Sequence, residues 1–209
     1  MPRPARQSPR PYLAAPKRRE HLLEAAGRLV RRGGWPALSM QGLAAAAGVS
    51  RQLVYEHFAT ADDLYVATLT HLFERAYAST EAIVRGARSV DETVRRAFTV
   101  FLELPPEERR ALRTLAVEPD PRRRSLERAR RRLRSRIAAL WLPYVRAQTG
   151  ADEAEATGLT WMLNTAAWGL ADTIADGTLE RARGVELFVR FADRTLSAWR
   201  EPRQGGSTS

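Results

Sequence analysis

Residues 44–65 read AAAAGVSRQLVYEHFATADDLY and carry the strongest structural signal in the chain. Four alanines allow close helix packing, Gly48 favours the left-handed conformation of a tight turn, and Ser50 can cap a following helix. The segment therefore predicts two short helices joined by a turn, the second running from Ser50 to about Phe58. Val49, Val54 and Phe58 are expected to face a small core.

Helical patterns continue on both sides of this segment. A first helix is predicted up to Gly33, and Ser39 is expected to cap the second helix. Thr60 precedes two acids that open a long fourth helix ending at Gly86. Apolar spacing predicts five further helices up to residue 200, with a kink at Pro143. No run alternates as a strand would, so the expected fold is all-α with about nine helices.

The composition excludes several classes of protein. The 209 residues include no cysteine, and the three histidines lack metal-binding spacing, so we expect neither an enzyme nor a metal or other cofactor. No apolar run reaches the length of about 20 residues that spans a membrane. The basic N-terminus has no apolar stretch after it, so no secretory signal is expected and a cytoplasmic location is predicted.

The positive charge is concentrated in two segments. The net charge is +10, residues 1–60 hold ten Lys or Arg and three Asp or Glu, and residues 122–136 hold nine Arg and one Glu. This distribution favours an anionic partner such as nucleic acid. For residues 122–136, a solvated face, an anion-binding entrance and a secondary nucleic-acid contact all fit the pattern.

Three short helices with a Gly turn predict a helix-turn-helix that binds double-stranded DNA. Arg51 and Gln52, at the start of the third helix, suit base edges in the major groove, since Arg pairs with guanine and Gln with adenine. Tyr55 and His57 suit phosphate or sugar contacts. An ordinary solvated helix face is the competing interpretation.

The stretch from Arg18 to Leu64 resembles the DNA-binding domain of TetR-family transcriptional regulators. The matching elements are Leu38-Ser39, Ala47-Gly48-Val49-Ser50, Tyr55-x-His57-Phe58 and Asp63-Leu64. The resemblance implies a homodimer that binds a palindromic operator, with a larger C-terminal domain for dimerisation and a small-molecule effector. The family's DNA-contacting positions fall on Ser39, Arg51, Gln52, Tyr55 and His57, and we add Ser50 at the helix start.

Two residues depart from the family pattern. Ala61 stands where the family commonly has a phosphate-binding Lys, and Glu56 places an acid in the recognition helix. The basic arm, with Lys17, Arg18 and Arg19, is predicted to supply the missing phosphate contact.

Aromatic residues are concentrated in the second half of the chain. Trp161, Thr165, Trp168 and Asp172 fall on one helical face, and together with Phe98, Phe101 and Trp141 they are predicted to line an effector pocket. Aromatic side chains at this spacing are also typical of a packed core or an interface. The same helix and the stripe from Val185 to Trp199 fit a dimer interface.

The expected organisation is a disordered basic arm over 1–15, a helix-turn-helix domain over 16–62, a ligand-binding and dimerisation domain over 63–200, and a disordered tail over 201–209. The favoured function is a repressor released from its operator by a ligand. A ligand-independent architectural DNA binder and a helical enzyme acting on an anionic substrate are the alternatives.

Overall fold

The computed structural model describes residues 15–86, 88–117 and 124–200. These residues form nine α-helices and a short 3₁₀-helix at Trp35–Ala37, and they contain no strand. The helices are α1 (Ala15–Gly33), α2 (Met40–Ala47), α3 (Arg51–His57), α4 (Ala61–Arg85), α5 (Val90–Glu103), α6 (Pro106–Val117), α7 (Arg124–Thr149), α8 (Glu153–Ala175) and α9 (Arg181–Arg200). The prediction of an all-α fold is confirmed.

The chain divides into two compact units between Leu64 and Tyr65, inside α4. The N-terminal unit holds α1, α2, α3 and the first turn of α4. The C-terminal unit holds the rest of α4 and the helices from α5 to α9. Two predicted segments, the arm and the tail, lie outside the described residues except for Ala15, which is the first residue of α1.

The N-terminal unit is built on a small apolar core. Leu22, Val30, Leu43 and Val54 are fully buried, and Phe58 is 1% exposed. Burying a side chain of this size contributes roughly 1.5–3 kcal/mol. With only seven residues, α3 is too short to persist alone in water. Its stability therefore depends on packing against this core.

A reciprocal cap opens α4. The Thr60 amide donates to Asp63 Oδ2 at 3.1 Å, and the Asp63 amide donates to Thr60 Oγ1 at 3.0 Å. Both groups would otherwise be unpaired donors at the helix start. The cap places the start of α4 at Ala61, so that three residues separate it from the end of α3 at His57.

In the C-terminal unit, α5 packs against α9 and α7 packs against α8. Phe98 and Phe188 lie at the centre of one apolar cluster, with ring centroids 4.5 Å apart. Arg109 Nη1 donates to the carbonyl oxygens of Leu102 and Leu104, at 2.9 and 2.5 Å, and so satisfies the C-terminal end of α5.

The residues of two local predictions lie within helices. Lys17, Arg18 and Arg19 lie in the first turns of α1 rather than in an extended arm. Pro143 lies inside α7, which continues to Thr149. Among the helices of the described ranges, none has both the length and the apolar character needed to cross a membrane.

Candidate DNA-binding surface and ligand cavity

The turn between α2 and α3 requires a glycine. Gly48 has φ 64° and ψ 40°, in the left-handed region. The Gly48 amide donates to the Ala45 carbonyl at 3.2 Å, and the Val49 amide donates to the Ala44 carbonyl at 3.0 Å. These bonds satisfy carbonyls at the end of α2 and reverse the chain within three residues. A residue with a Cβ would be strained at position 48.

Serine side chains cap both helices of the motif. Ser39 Oγ accepts from the Gly42 amide at 3.0 Å, and Ser50 Oγ accepts from the Leu53 amide at 3.2 Å. Both serines are exposed. Because a hydroxyl can donate while it accepts, each remains able to donate to a phosphate oxygen. The two predicted caps are present, and their role in DNA binding stays a prediction.

The outer face of α3 presents polar side chains. Arg51 and Gln52 are exposed in its first turn, Tyr55 is 51% exposed one turn later, and His57 is half-buried. Val54 points into the core and fixes the rotation of the helix. The structure therefore brings the predicted base-reading and backbone-contacting side chains onto one short helix. Glu56 is also exposed on α3, and Ala61 is exposed at the start of α4.

Arg19 has a role that the sequence did not indicate. Its Nη1 donates to the His57 carbonyl oxygen at 2.6 Å, and its guanidinium lies 4.6 Å from the centroid of the Phe58 ring. A cation at the C-terminal end of a helix is favourable because it faces unpaired carbonyls. Arg19 therefore holds the end of α3, whereas Lys17 is exposed two residues earlier.

A cavity of about 170 Å³ lies within the C-terminal unit. Its wall comes from α4, α5, α6, α7, α8 and α9, and among the described residues that line it none is Asp, Glu, Lys, Arg or His. The aromatic side chains of the wall are Phe73, Tyr77, Phe98, Phe101, Trp141, Trp168 and Phe188. Phe101 meets Trp168 edge to face, with ring centroids 4.5 Å apart.

The cavity contains four of the predicted pocket residues and leaves out three. Phe98, Phe101, Trp141 and Trp168 line it, whereas Trp161, Thr165 and Asp172 do not. The Trp161 ring lies 3.6 Å from the Arg134 guanidinium, Thr165 is exposed, and Asp172 forms an ion pair with Arg113. On α8 the cavity is lined by Thr160, Leu163, Asn164, Ala167 and Trp168, so Trp168 lies at the edge of the inner face rather than at its centre.

The inner face of α8 carries two polar residues that sequence reasoning missed. Asn164 Oδ1 accepts from Trp168 Nε1 at 3.0 Å. Thr160, one turn earlier, is 4% exposed, and its hydroxyl has no hydrogen-bond partner among the described residues. Both residues line the cavity. The available signal was the spacing of Thr160, Asn164 and Trp168, each four residues from the next.

Part of the Arg-rich segment is used within the unit. Arg130 Nε donates to Glu127 Oε2 at 2.8 Å, and Arg131 Nε donates to Glu127 Oε1 at 3.3 Å. Hydrogen bonds from Arg130, and then from Arg131, lower the pKa of the Glu127 carboxyl from 4.5 to about 2. Arg136 pairs with Glu74 and lies 4.3 Å from the centroid of the Tyr77 ring. These contacts leave the three interpretations of the segment open.

Comparison with known proteins supports the assignment of the N-terminal unit. Residues 22–68 match the family model described as bacterial regulatory proteins, tetR family. No curated protein matches the chain significantly by sequence.

Solved structures share the fold over most of the chain. A TetR-like transcriptional regulator from Rhodococcus sp. RHA1 is 21% identical and covers 89% of this chain and 99% of its own, with a TM-score of 0.64. A TetR transcriptional regulator from Legionella pneumophila is 18% identical, with coverages of 88% and 98% and a TM-score of 0.65. A transcriptional regulator from Rhodococcus sp. Rha1 is 23% identical, with coverages of 86% and 96% and a TM-score of 0.66.

At these identities the structures establish the fold, and the family model identifies the DNA-binding domain. The capped α2 and α3, the left-handed Gly48 and the outward face of α3 agree with both. Residues 22–68 therefore form a helix-turn-helix domain that matches the tetR family of bacterial regulatory proteins, and the chain shares the overall fold of the compared regulators.

Proposed function

We propose that the chain acts as a homodimeric repressor that leaves a palindromic operator when a small molecule fills the cavity of the C-terminal unit. The observation that carries the proposal is the outer face of α3, where Arg51, Gln52 and Tyr55 are exposed on a helix held by a Ser cap and a buried Val54.

The N-terminal end of a recognition helix is the part that reaches base edges. Arg51 and Gln52 occupy that end of α3, so they are assigned to base contacts. Tyr55, His57, Ser39 and Ser50 are assigned to the sugar-phosphate backbone, and Lys17 and Arg18 to phosphates flanking the groove.

Exposed apolar side chains support assembly with a second copy of the chain. Met162 on α8 is 54% exposed, and Leu187 and Phe191 on α9 are 46% and 44% exposed. Gly158 and Gly169 on α8 have open space around their Cα atoms. Small residues allow close packing of a second helix, and apolar ones gain by being covered. A two-fold dimer places two α3 helices for half-sites about 34–36 Å apart.

The continuity of α4 supports a response to ligand. This helix begins at Ala61, shortly after α3, and its residues Phe73, Ala76, Tyr77 and Thr80 line the cavity. A ligand that fits the wall better in one position of α4 shifts the population toward that position. In this mechanism the two recognition helices then lose the spacing that the operator requires.

Selection of bound sequences from random double-stranded DNA by the full chain tests the DNA-binding part. We expect a two-fold symmetric site, and a log–log plot of affinity against salt with a clearly negative slope. Arg51→Ala is expected to relax the preference at one base pair per half-site, at a cost of about 1–3 kcal/mol. Arg146→Ala, an exposed arginine on α7, is the matched control. Absence of any selected sequence, or a slope near zero, contradicts the proposal.

A further inference from the structure

We propose that the cavity of the C-terminal unit takes an uncharged, ring-sized molecule bearing one hydrogen-bond-accepting oxygen, and that the Asn164 amide recognises this oxygen. The inference deepens the proposed function, on which it rests for its regulatory consequence only. Binding of the molecule can be measured without DNA.

Size limits the ligand to about one aromatic ring with a short substituent. The cavity volume is about 170 Å³, and a protein cavity of about 150 Å³ lined by apolar side chains holds benzene. The edge-to-face pair of Phe101 and Trp168 shows how rings pack at this wall. A flat ring can continue that packing with Phe98 or Trp141.

The wall also selects against charge. Within the described part of the chain, no carboxylate, ammonium, guanidinium or imidazole group lines the cavity, and an unpaired charge is costly to bury. Arg136 lies outside the lining and is paired with Glu74. Asp172, also outside the lining, is paired with Arg113. A carboxylate or an ammonium ion therefore finds no counter-ion among the described residues of the wall.

Asn164 supplies the polar contact. The Trp168 indole N–H is a donor only, so the atom that receives it at 3.0 Å is the Asn164 amide oxygen. The orientation of the amide is thereby set, and its NH₂ group has no partner among the described residues. A ligand oxygen that accepts from this NH₂ group satisfies it. The unpaired Thr160 hydroxyl, on the same face one turn earlier, is a second group available for that oxygen.

Three probes of similar shape separate the effect of the hydrogen-bond acceptor from the effect of charge. Acetophenone, isopropylbenzene and benzoate each join a benzene ring to a three-atom branched group, and they differ in acceptor and in charge. The full chain is titrated with each by calorimetry, and tryptophan fluorescence is the second readout because Trp141 and Trp168 line the cavity. We expect acetophenone and isopropylbenzene to bind, and benzoate to bind more weakly than either.

Variants isolate the contribution of the amide. Asn164→Leu is expected to weaken the binding of acetophenone about fivefold relative to the binding of isopropylbenzene, since the loss of one net hydrogen bond has this effect. The quantity compared between proteins is the ratio of the acetophenone affinity to the isopropylbenzene affinity. Because the hydration of each free probe is the same for every protein, it cancels in this comparison. Asn164→Asp keeps an acceptor for Trp168 and, in its ionised form, offers no donor, so at a pH where the carboxyl is ionised it is expected to lower the ratio as well. Thr165→Val, on the exposed side of α8, is expected to leave the ratio unchanged.

Two kinds of result overturn the inference. An unchanged ratio in both Asn164 variants removes the recognition role of the amide. Failure of both neutral probes to bind, or tightest binding by benzoate, removes the ligand class. Operator binding by the ligand-free chain is measured separately. If the ligand-free chain does not bind an operator, the proposed function is contradicted and the ligand class is unaffected. If the neutral probes do not bind, the ligand class is contradicted and the proposed function is unaffected.

Discussion

At the scale of single residues, Arg19 connects the start of α1 to the end of α3. Its bond to the His57 carbonyl and its stacking on Phe58 occur entirely within the N-terminal unit. A guanidinium suits this position because it pairs with a carbonyl oxygen and lies flat on an aromatic ring at the same time. Arg19 is therefore a positioning residue for the recognition helix.

Replacing Arg19 with Met is expected to loosen α3 without removing a phosphate contact. Loss of one hydrogen bond of about 1 kcal/mol predicts roughly fivefold faster amide hydrogen exchange in α3. Operator affinity is expected to fall while the salt slope stays the same. Lys17→Met provides the comparison, because loss of a true phosphate contact lowers the slope by about 0.9. A reduced slope with unchanged exchange in Arg19→Met would show that this residue is a phosphate ligand.

At the scale of the helix, the N-terminal turns of α7 combine a dense run of arginines with one acid. Glu127 accepts hydrogen bonds from Arg130 and Arg131. The carboxylate stands in the first turn of α7, where the helix dipole also favours negative charge. The negative charge of Glu127 also lowers the repulsion among the neighbouring arginines.

Glu127→Gln is expected to lower stability at neutral pH and to have no effect in strong acid. The pKa of the carboxyl is lowered from 4.5 to about 2 in the folded chain. Its contribution is thus complete above 4.5 and disappears as the pH falls through about 2. Urea midpoints of the parent chain and the variant, measured across this range, check the expectation. Glu103→Gln, an exposed position on α5, is the control, and a difference that persists in strong acid would contradict the role of Glu127.

At the scale of the whole molecule, the candidate DNA-binding surface and the cavity lie in different units. The small N-terminal core holds α3, and the larger helical unit encloses a cavity on which the described residues place no charged side chain. The exposed Met162, Leu187 and Phe191 lie on α8 and α9 of the larger unit. Assembly through these helices is the step that would convert one reading helix into a symmetric pair.

Phe191→Glu is therefore expected to produce a monomer with weak operator affinity. A buried carboxylate without a partner opposes association, and losing the second half-site lowers affinity at least about tenfold. Size-exclusion chromatography with light scattering gives the mass, and operator titration gives the affinity. Arg146→Glu, an exposed site on α7, controls for the added negative charge. A variant that remains dimeric would place the interface elsewhere.

Local sequence signals were sufficient to predict the helices and the helix-turn-helix. The caps at Ser39, Ser50 and Thr60 and the left-handed Gly48 involve residues no more than a few positions apart. Such contacts are written in the spacing of the sequence itself. The start of α1 was less clear, because its first turns contain the same basic residues that a disordered arm would contain.

The amino-acid sequence by itself determined the order of the helices, the helix-turn-helix and the outward face of α3, because short-range caps, turns and apolar spacing produce them. Only the tertiary structure decided which face of α8 lines the cavity. This helix has apolar residues on several sides, so its periodicity does not select an inner face. The neighbouring helices α5 and α7 place Thr160, Asn164 and Trp168 at the cavity and Trp161 against Arg134. The contact between Arg19 and His57 likewise joins residues 38 positions apart, a separation that only folding brings together.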